Sequence, residues 1–144
     1  MLKTFLLLPI LILCRLPQDV RVITYSTGRT NPKDYESLAF WIKSNQRAYI
    51  WYAHGTDDEV EIDVSWAGPD SSGGKKGFRL KGPADTLCWV VTPRGNAIRI
   101  TDRRGRQKEL RWENEGGASP DSVCAICAKN ESQAMAWLQK YFFR

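Results

Sequence analysis

Val60-Glu61-Ile62-Asp63-Val64-Ser65-Trp66 sets a β-branched or aromatic residue at every second position and a polar one between. Alternation of this kind puts the apolar side chains on one face of a strand and the polar ones on the other, as in a half-buried antiparallel sheet. Strand-like runs continue on both sides. Upstream, Ala48 to Ala53 is rich in aromatic residues and ends at the turn His54-Gly55-Thr56-Asp57-Asp58. Downstream, Gly and Pro crowd residues 67–74 into an expected loop, and Gly77 to Lys81 and Leu87 to Val91 read as two further strands. Ile98 and Ile100 then alternate with polar neighbours, as do Leu110 and Trp112, around Asp102-Arg103-Arg104-Gly105-Arg106, which predicts a hairpin.

The flanks add one strand and two expected helices. Val20 to Tyr25 has strand composition. Asn31 suits an N-cap, Pro32 the first helical position, and Tyr35, Leu38, Ala39 and Ile42 recur at helical spacing, which predicts a helix ending near Asn45. Gly116-Gly117-Ala118-Ser119-Pro120 reads as loop, and Val123 to Ala128 as a last strand. Asn130 and Gln133 stand at capping-box spacing ahead of the apolar face Ala134, Leu138, Tyr141 and Phe142. Short connections make the sheet mostly antiparallel. The expected fold class is therefore α+β: an antiparallel sheet or partly open barrel of about seven to eight strands, one helix in the N-terminal half and one at the C-terminus. The closing strand, Lys129-Asn130-Glu131 and the helix bearing Trp137, over Val123 to Phe142, resemble the end of pleckstrin-homology-like domains. That resemblance implies a domain that binds lipid headgroups or peptides.

The first fourteen residues differ from the rest. Lys3 precedes the apolar run from Phe5 to Leu13, and Cys14-Arg15 ends it, which reads as an export signal over residues 1–14 followed by one domain over 15–144. The run is short of the about 20 apolar residues that span a bilayer. Leu11-Ile12-Leu13-Cys14 resembles the lipobox of bacterial lipoproteins, although Leu13 stands where that family carries a small residue. The resemblance implies lipid attachment at Cys14, with the protein exported to a periplasmic or extracellular setting and membrane-anchored through that cysteine. Cys88, Cys124 and Cys127 then remain, an odd number for an oxidising compartment. Cys124 and Cys127 share the spacing of a redox or metal motif, but in a strand they point to opposite faces, and there is no second cluster of Cys or His to complete a zinc site. They read as small core residues, with one bridge from the pair to Cys88 left open, and no metal or cofactor is expected.

Charge is distributed unevenly. The formal net charge is +5, yet residues 48–74 carry six acidic residues and no basic ones, whereas residues 75–111 carry eleven basic residues against three acidic. Arg99, Arg103, Arg104, Arg106, Lys108 and Arg111 gather on the expected hairpin as a candidate binding surface for an anionic partner. Opposite charges pairing across one sheet account for the same pattern at only ~0–1 kcal/mol per exposed pair. Trp41 lies off the helical stripe and, with Phe40, marks a candidate partner-binding patch. His54, the one histidine, stands near Asp57, Asp58 and Glu59, and could act with one of them as an acid/base pair.

Two functions follow as expectations. The first is an exported, membrane-tethered and non-catalytic binding protein, an inhibitor or immunity-type module that recognises another protein through its charge-polarised surface. An anionic membrane is a further contact in that reading, and nucleic acid ranks below both. The alternative is a small secreted ribonuclease-like hydrolase using His54, a nearby carboxylate and the basic hairpin.

Overall fold

The structure, a computed structural model, describes residues 20–28, 31–43, 46–55, 60–71, 74, 76–83, 88–114 and 125–143. The leader with Cys14, the acidic residues Asp57, Asp58 and Glu59, and Cys124 lie outside the described residues. Eight strands follow one another as an antiparallel meander: β1 Val20–Ser26, β2 Glu36–Lys43, β3 Gln46–His54, β4 Val60–Asp70, β5 Gly77–Lys81, β6 Cys88–Arg94, β7 Ala97–Thr101 and β8 Gln107–Glu113. The meander closes on itself. β1 pairs with β2 along its whole length, Val20 opposite Lys43 through Ser26 opposite Ser37. Its other edge pairs with β8, Thr24 opposite Glu113 and Ser26 opposite Arg111. A short ninth strand, β9 Ala125–Cys127, runs parallel to the first half of β1 on that second edge, Val20 opposite Ala125. The helix α1 Glu131–Tyr141 ends the fold. The antiparallel barrel expected from the strand pattern is present, and it is closed, not partly open.

The expected helix over Asn31 to Asn45 is absent. Asn31 and Pro32 open a single 3-10 turn, Pro32–Asp34, after which the chain enters β2. Leu38 and Ile42 fit a helical stripe, but together with Phe40 they fit a period of two just as well. All three are buried in the core. Pairing of β2 with strands on both sides satisfies its backbone as fully as a helix would and also buries Leu38, Phe40 and Ile42, so tertiary context overrides the local capping signal. Two smaller expectations change for related reasons. Phe40 is fully buried and takes no part in a surface patch; Trp41 points to the outer wall, where it meets Trp51 of β3 at 5.3 Å between ring centroids. The loop expected at residues 67–74 begins only after Asp70, because a bulge between Trp66 and Pro69, with Gly68 at φ +110°, carries Pro69 within β4.

Alternation fills the lumen. Ile23 and Tyr25, Leu38, Phe40 and Ile42, Ile50 and Tyr52, Val64, Phe78 and Leu80, Trp89 and Val91, Ile98 and Ile100, and Leu110 face inward from successive strands. An eight-stranded barrel encloses just enough room for such side chains or for one small ligand. The helix takes up the space at one end. The Asn130 side chain accepts a hydrogen bond from the backbone N–H of Gln133 at 2.9 Å, as the cap spacing predicts, while the Gln133 side chain accepts from the N–H of Lys129 at 2.7 Å. Ala134, Met135 and Leu138 join the core, and beyond the helix Phe142 lies 5.0 Å from the Phe40 ring and 5.6 Å from Phe78. Phe143 packs 5.0 Å from Phe78. The Arg21 guanidinium donates to the Tyr141 hydroxyl at 3.1 Å and lies over the Trp137 ring, so α1 is held near the start of β1.

Truncation of the plug tests its role. Phe142→Ala should destabilise the protein by about 3–5 kcal/mol in urea unfolding, since the Phe40 and Phe78 rings both lose their partner. A loss below about 1 kcal/mol would show that the helix end only rests on the barrel.

Candidate binding site at the barrel mouth

The end opposite the plug is differently lined. Glu36 opens β2, Tyr52 and Trp89 stand near the end of β3 and the start of β6, and Ile100, Asp102, Arg106, Gln107 and Lys108 flank the β7–β8 turn. In an antiparallel meander these positions all fall at one rim. Together they line a cavity of about 260 Å³. Alternation explains why polar groups reach it: Glu36 continues the inward stripe of Leu38, Phe40 and Ile42, and Lys108 continues that of Leu110.

Two ion pairs face this space. The Lys108 ammonium is paired with the Glu36 carboxylate, which is nearly buried. The Tyr52 phenol stands near the same carboxylate, and burial first, then the charge of Glu36 and its side-chain interaction with the hydroxyl, push that phenol well above its usual range. Asp102 accepts from the backbone N–H groups of Arg104 at 2.8 Å and Arg106 at 3.0 Å, and from the Arg106 side chain at 2.7 Å. Some desolvation opposes ionisation of Asp102, but these donors outweigh it and hold the carboxyl below the ordinary range. The Tyr52 and Trp89 rings meet edge to face at 4.6 Å and form an aromatic corner beside the pairs.

The residues singled out in the sequence divide accordingly. Arg106 and Lys108 line the cavity. Arg103 and Arg104 are exposed at the tip of the turn. Arg99 stands opposite Glu109, on the face away from Ile98 and Ile100, and Arg111 reaches Glu109 at 3.2 Å on the outer wall, where Arg94 also meets Glu109 at 3.6 Å. The basic hairpin is therefore laced to its own carboxylates. His54 ends β3 opposite Glu36, exposed at the rim, and is absent from the described residues that line the cavity. Glu36, Tyr52, Trp89 and Asp102 are the residues that sequence reasoning passed over; a lone carboxylate in register with an apolar stripe was the available signal at Glu36. Cys88 and Cys127 are free thiols. Among the described residues no group of three or more His, Cys, Asp or Glu could hold a metal, and no helix is long and apolar enough to cross a membrane.

Fold and site together define a closed up-and-down β-barrel, plugged by a helix at one end and carrying a charged, aromatic-walled cavity at the other. No family model matches the chain, and neither a curated protein nor a solved structure matches it.

The cavity chemistry predicts an alkaline sensitivity. A phenol whose folded-state pKa is raised stabilises the fold fully below its unfolded value of about 10, and that contribution is lost as pH rises through the folded value. Stability measured by denaturant unfolding should therefore fall above about pH 10, and the fall should be shallower in Tyr52→Phe. An identical alkaline slope in the variant would place the effect elsewhere, for example at Tyr25, whose phenol is also raised by burial and then by the Glu131 charge.

Proposed function

We propose that this chain is a non-catalytic binding protein, exported through its hydrophobic leader, which receives a small ligand in the mouth of its barrel. One observation carries the reading: an ion pair and a tyrosine hydroxyl occupy inward-facing positions that every neighbouring strand fills with apolar side chains. The carboxylate of this pair is desolvated while the Lys108 ammonium stays half exposed, so the pair contributes little net stability and stability alone gives little reason to keep Glu36 there. A concave site with aromatic walls and a few convergent polar groups is what small-molecule recognition uses.

Recognition of another protein is the second reading. Exposed Arg103 and Arg104 at the rim favour it, since they project beside the mouth toward any acidic partner. The hydrolase reading has less support, because His54 is exposed and is not among the described residues that line the cavity.

A thermal-shift screen of charged and neutral small molecules checks the mouth. Ligands should raise the melting temperature, as any binder of the native state does. The shift should vanish in Gln107→Trp, which fills the rim, and persist in Arg79→Ala, whose guanidinium pairs with Asp70 at 3.1 Å away from the cavity. Shifts that survive the Gln107→Trp block, or that require Arg103 and Arg104 instead, would defeat the small-ligand reading. Export has its own check: mass spectrometry of the natively expressed protein should find the leader removed, with or without lipid on Cys14, and an intact Met1 would overturn it.

A further inference from the structure

We propose that the mouth cavity takes an organic cation, a primary ammonium or guanidinium on an apolar body, and that the Lys108 side chain is its built-in stand-in. The inference rests on the mouth being the binding site and names the class of ligand it selects. It follows from an asymmetry between the members of the two ion pairs. The Glu36 side chain is 8% exposed and that of its partner Lys108 53%; for Asp102 and Arg106 the figures are 22% and 73%. In each pair the carboxylate is the fixed member and the cation the movable one.

Glu36 is held by the backbone of β2, which is paired on both sides; its N–H donates to the Thr27 hydroxyl at 3.0 Å and its carbonyl accepts from the Thr27 N–H at 2.9 Å. Asp102 is fastened by the N–H groups of its own turn. Lys108 and Arg106 hang on long stems with large rotamer entropy, and either head can swing into water at little cost. A ligand ammonium can therefore replace Lys108 at Glu36 without leaving a buried charge unpaired. An anionic ligand meets the opposite situation: it would have to share Lys108 with Glu36 and bring a second negative charge beside a carboxylate that cannot leave. The walls agree with the charge. Tyr52 and Trp89 line the cavity as aromatic groups, a surface type that attracts cations, and Ile100 offers apolar surface to the body of the ligand. A volume of about 260 Å³ suits a compact molecule, just under the about 300–1,000 Å³ common for ligand sites.

Calorimetric titration of the full chain with three probes of one shape tests this: phenethylamine as the cation, hydrocinnamate as the anion and phenethyl alcohol as the neutral form. Phenethylamine should bind in preference to the other two. Lys108→Met removes the stand-in and should tighten phenethylamine by about tenfold, while Glu36→Gln, which keeps the side-chain size, should weaken it by at least about tenfold. If Lys108→Met is too unstable to titrate, phenethylamine should raise its melting temperature by more than it raises that of the wild type. Preferred binding of hydrocinnamate, or weaker phenethylamine binding by Lys108→Met, overturns the cation assignment and leaves the mouth as the site. If no probe binds in a way that Gln107→Trp blocks, the cation assignment and the mouth site fall together.

Discussion

Strand β1 is hydrogen-bonded along both edges at once, to β2 over seven residues on one side and to β8 and β9, end to end, on the other. That double pairing turns a meander of eight strands into a barrel and leaves the eight without an unpaired edge in the main sheet. Closure then dictates what the rest of the chain must do. A closed barrel has a lumen, and a lumen of this girth must be filled or used. The C-terminal helix, Phe142 and Phe143 fill one end, and the side chains at the other end enclose a cavity.

The two ends face different physical demands. At the plugged end, Phe40, Phe78, Phe142 and Phe143 meet ring against ring, and the burial of large apolar surfaces stabilises the fold directly. At the mouth, Glu36 and Lys108 are taken partly out of water, a placement that a purely structural core would avoid. The Asp102 turn stiffens the rim through three hydrogen bonds from Arg104 and Arg106, so that the β7–β8 hairpin keeps Lys108 and Gln107 in place beside Trp89 and Ile100. The charged outer wall plays a smaller part. Its arginines, themselves exposed, pair with the more sheltered Glu109 and Asp70, and half-exposed pairs of this kind contribute little each.

Much of this architecture was legible in the chain. The alternation of Val60 to Trp66, the Ile98 to Trp112 hairpin and the Asn130 cap were correctly readable because each depends on neighbours within a few residues. The segment from Asn31 to Lys43 was not, since its capping residues, the Leu38-Ile42 spacing and the Phe40-Trp41-Ile42 run satisfy helix and strand patterns equally. Which pattern wins depends on β1 and β3, one of them a loop away on each side, offering backbone partners along the full length. The candidate site was legible only in part. Lys108 and Arg106 stood out as members of a basic cluster, whereas Glu36 was assigned to a helix and Tyr52 and Trp89 were read as parts of strands.

The sequence by itself determined the strand periodicity outside β2, the mostly antiparallel pairing and the closing helix, because side-chain alternation and capping are local properties of the backbone. Only the tertiary structure decided that β1 joins β2 to β8, and with that closure which inward-facing residues share a rim. Glu36, Tyr52, Trp89 and Lys108 come from four strands spread over half of the chain, and only closure of the barrel brings them around one cavity.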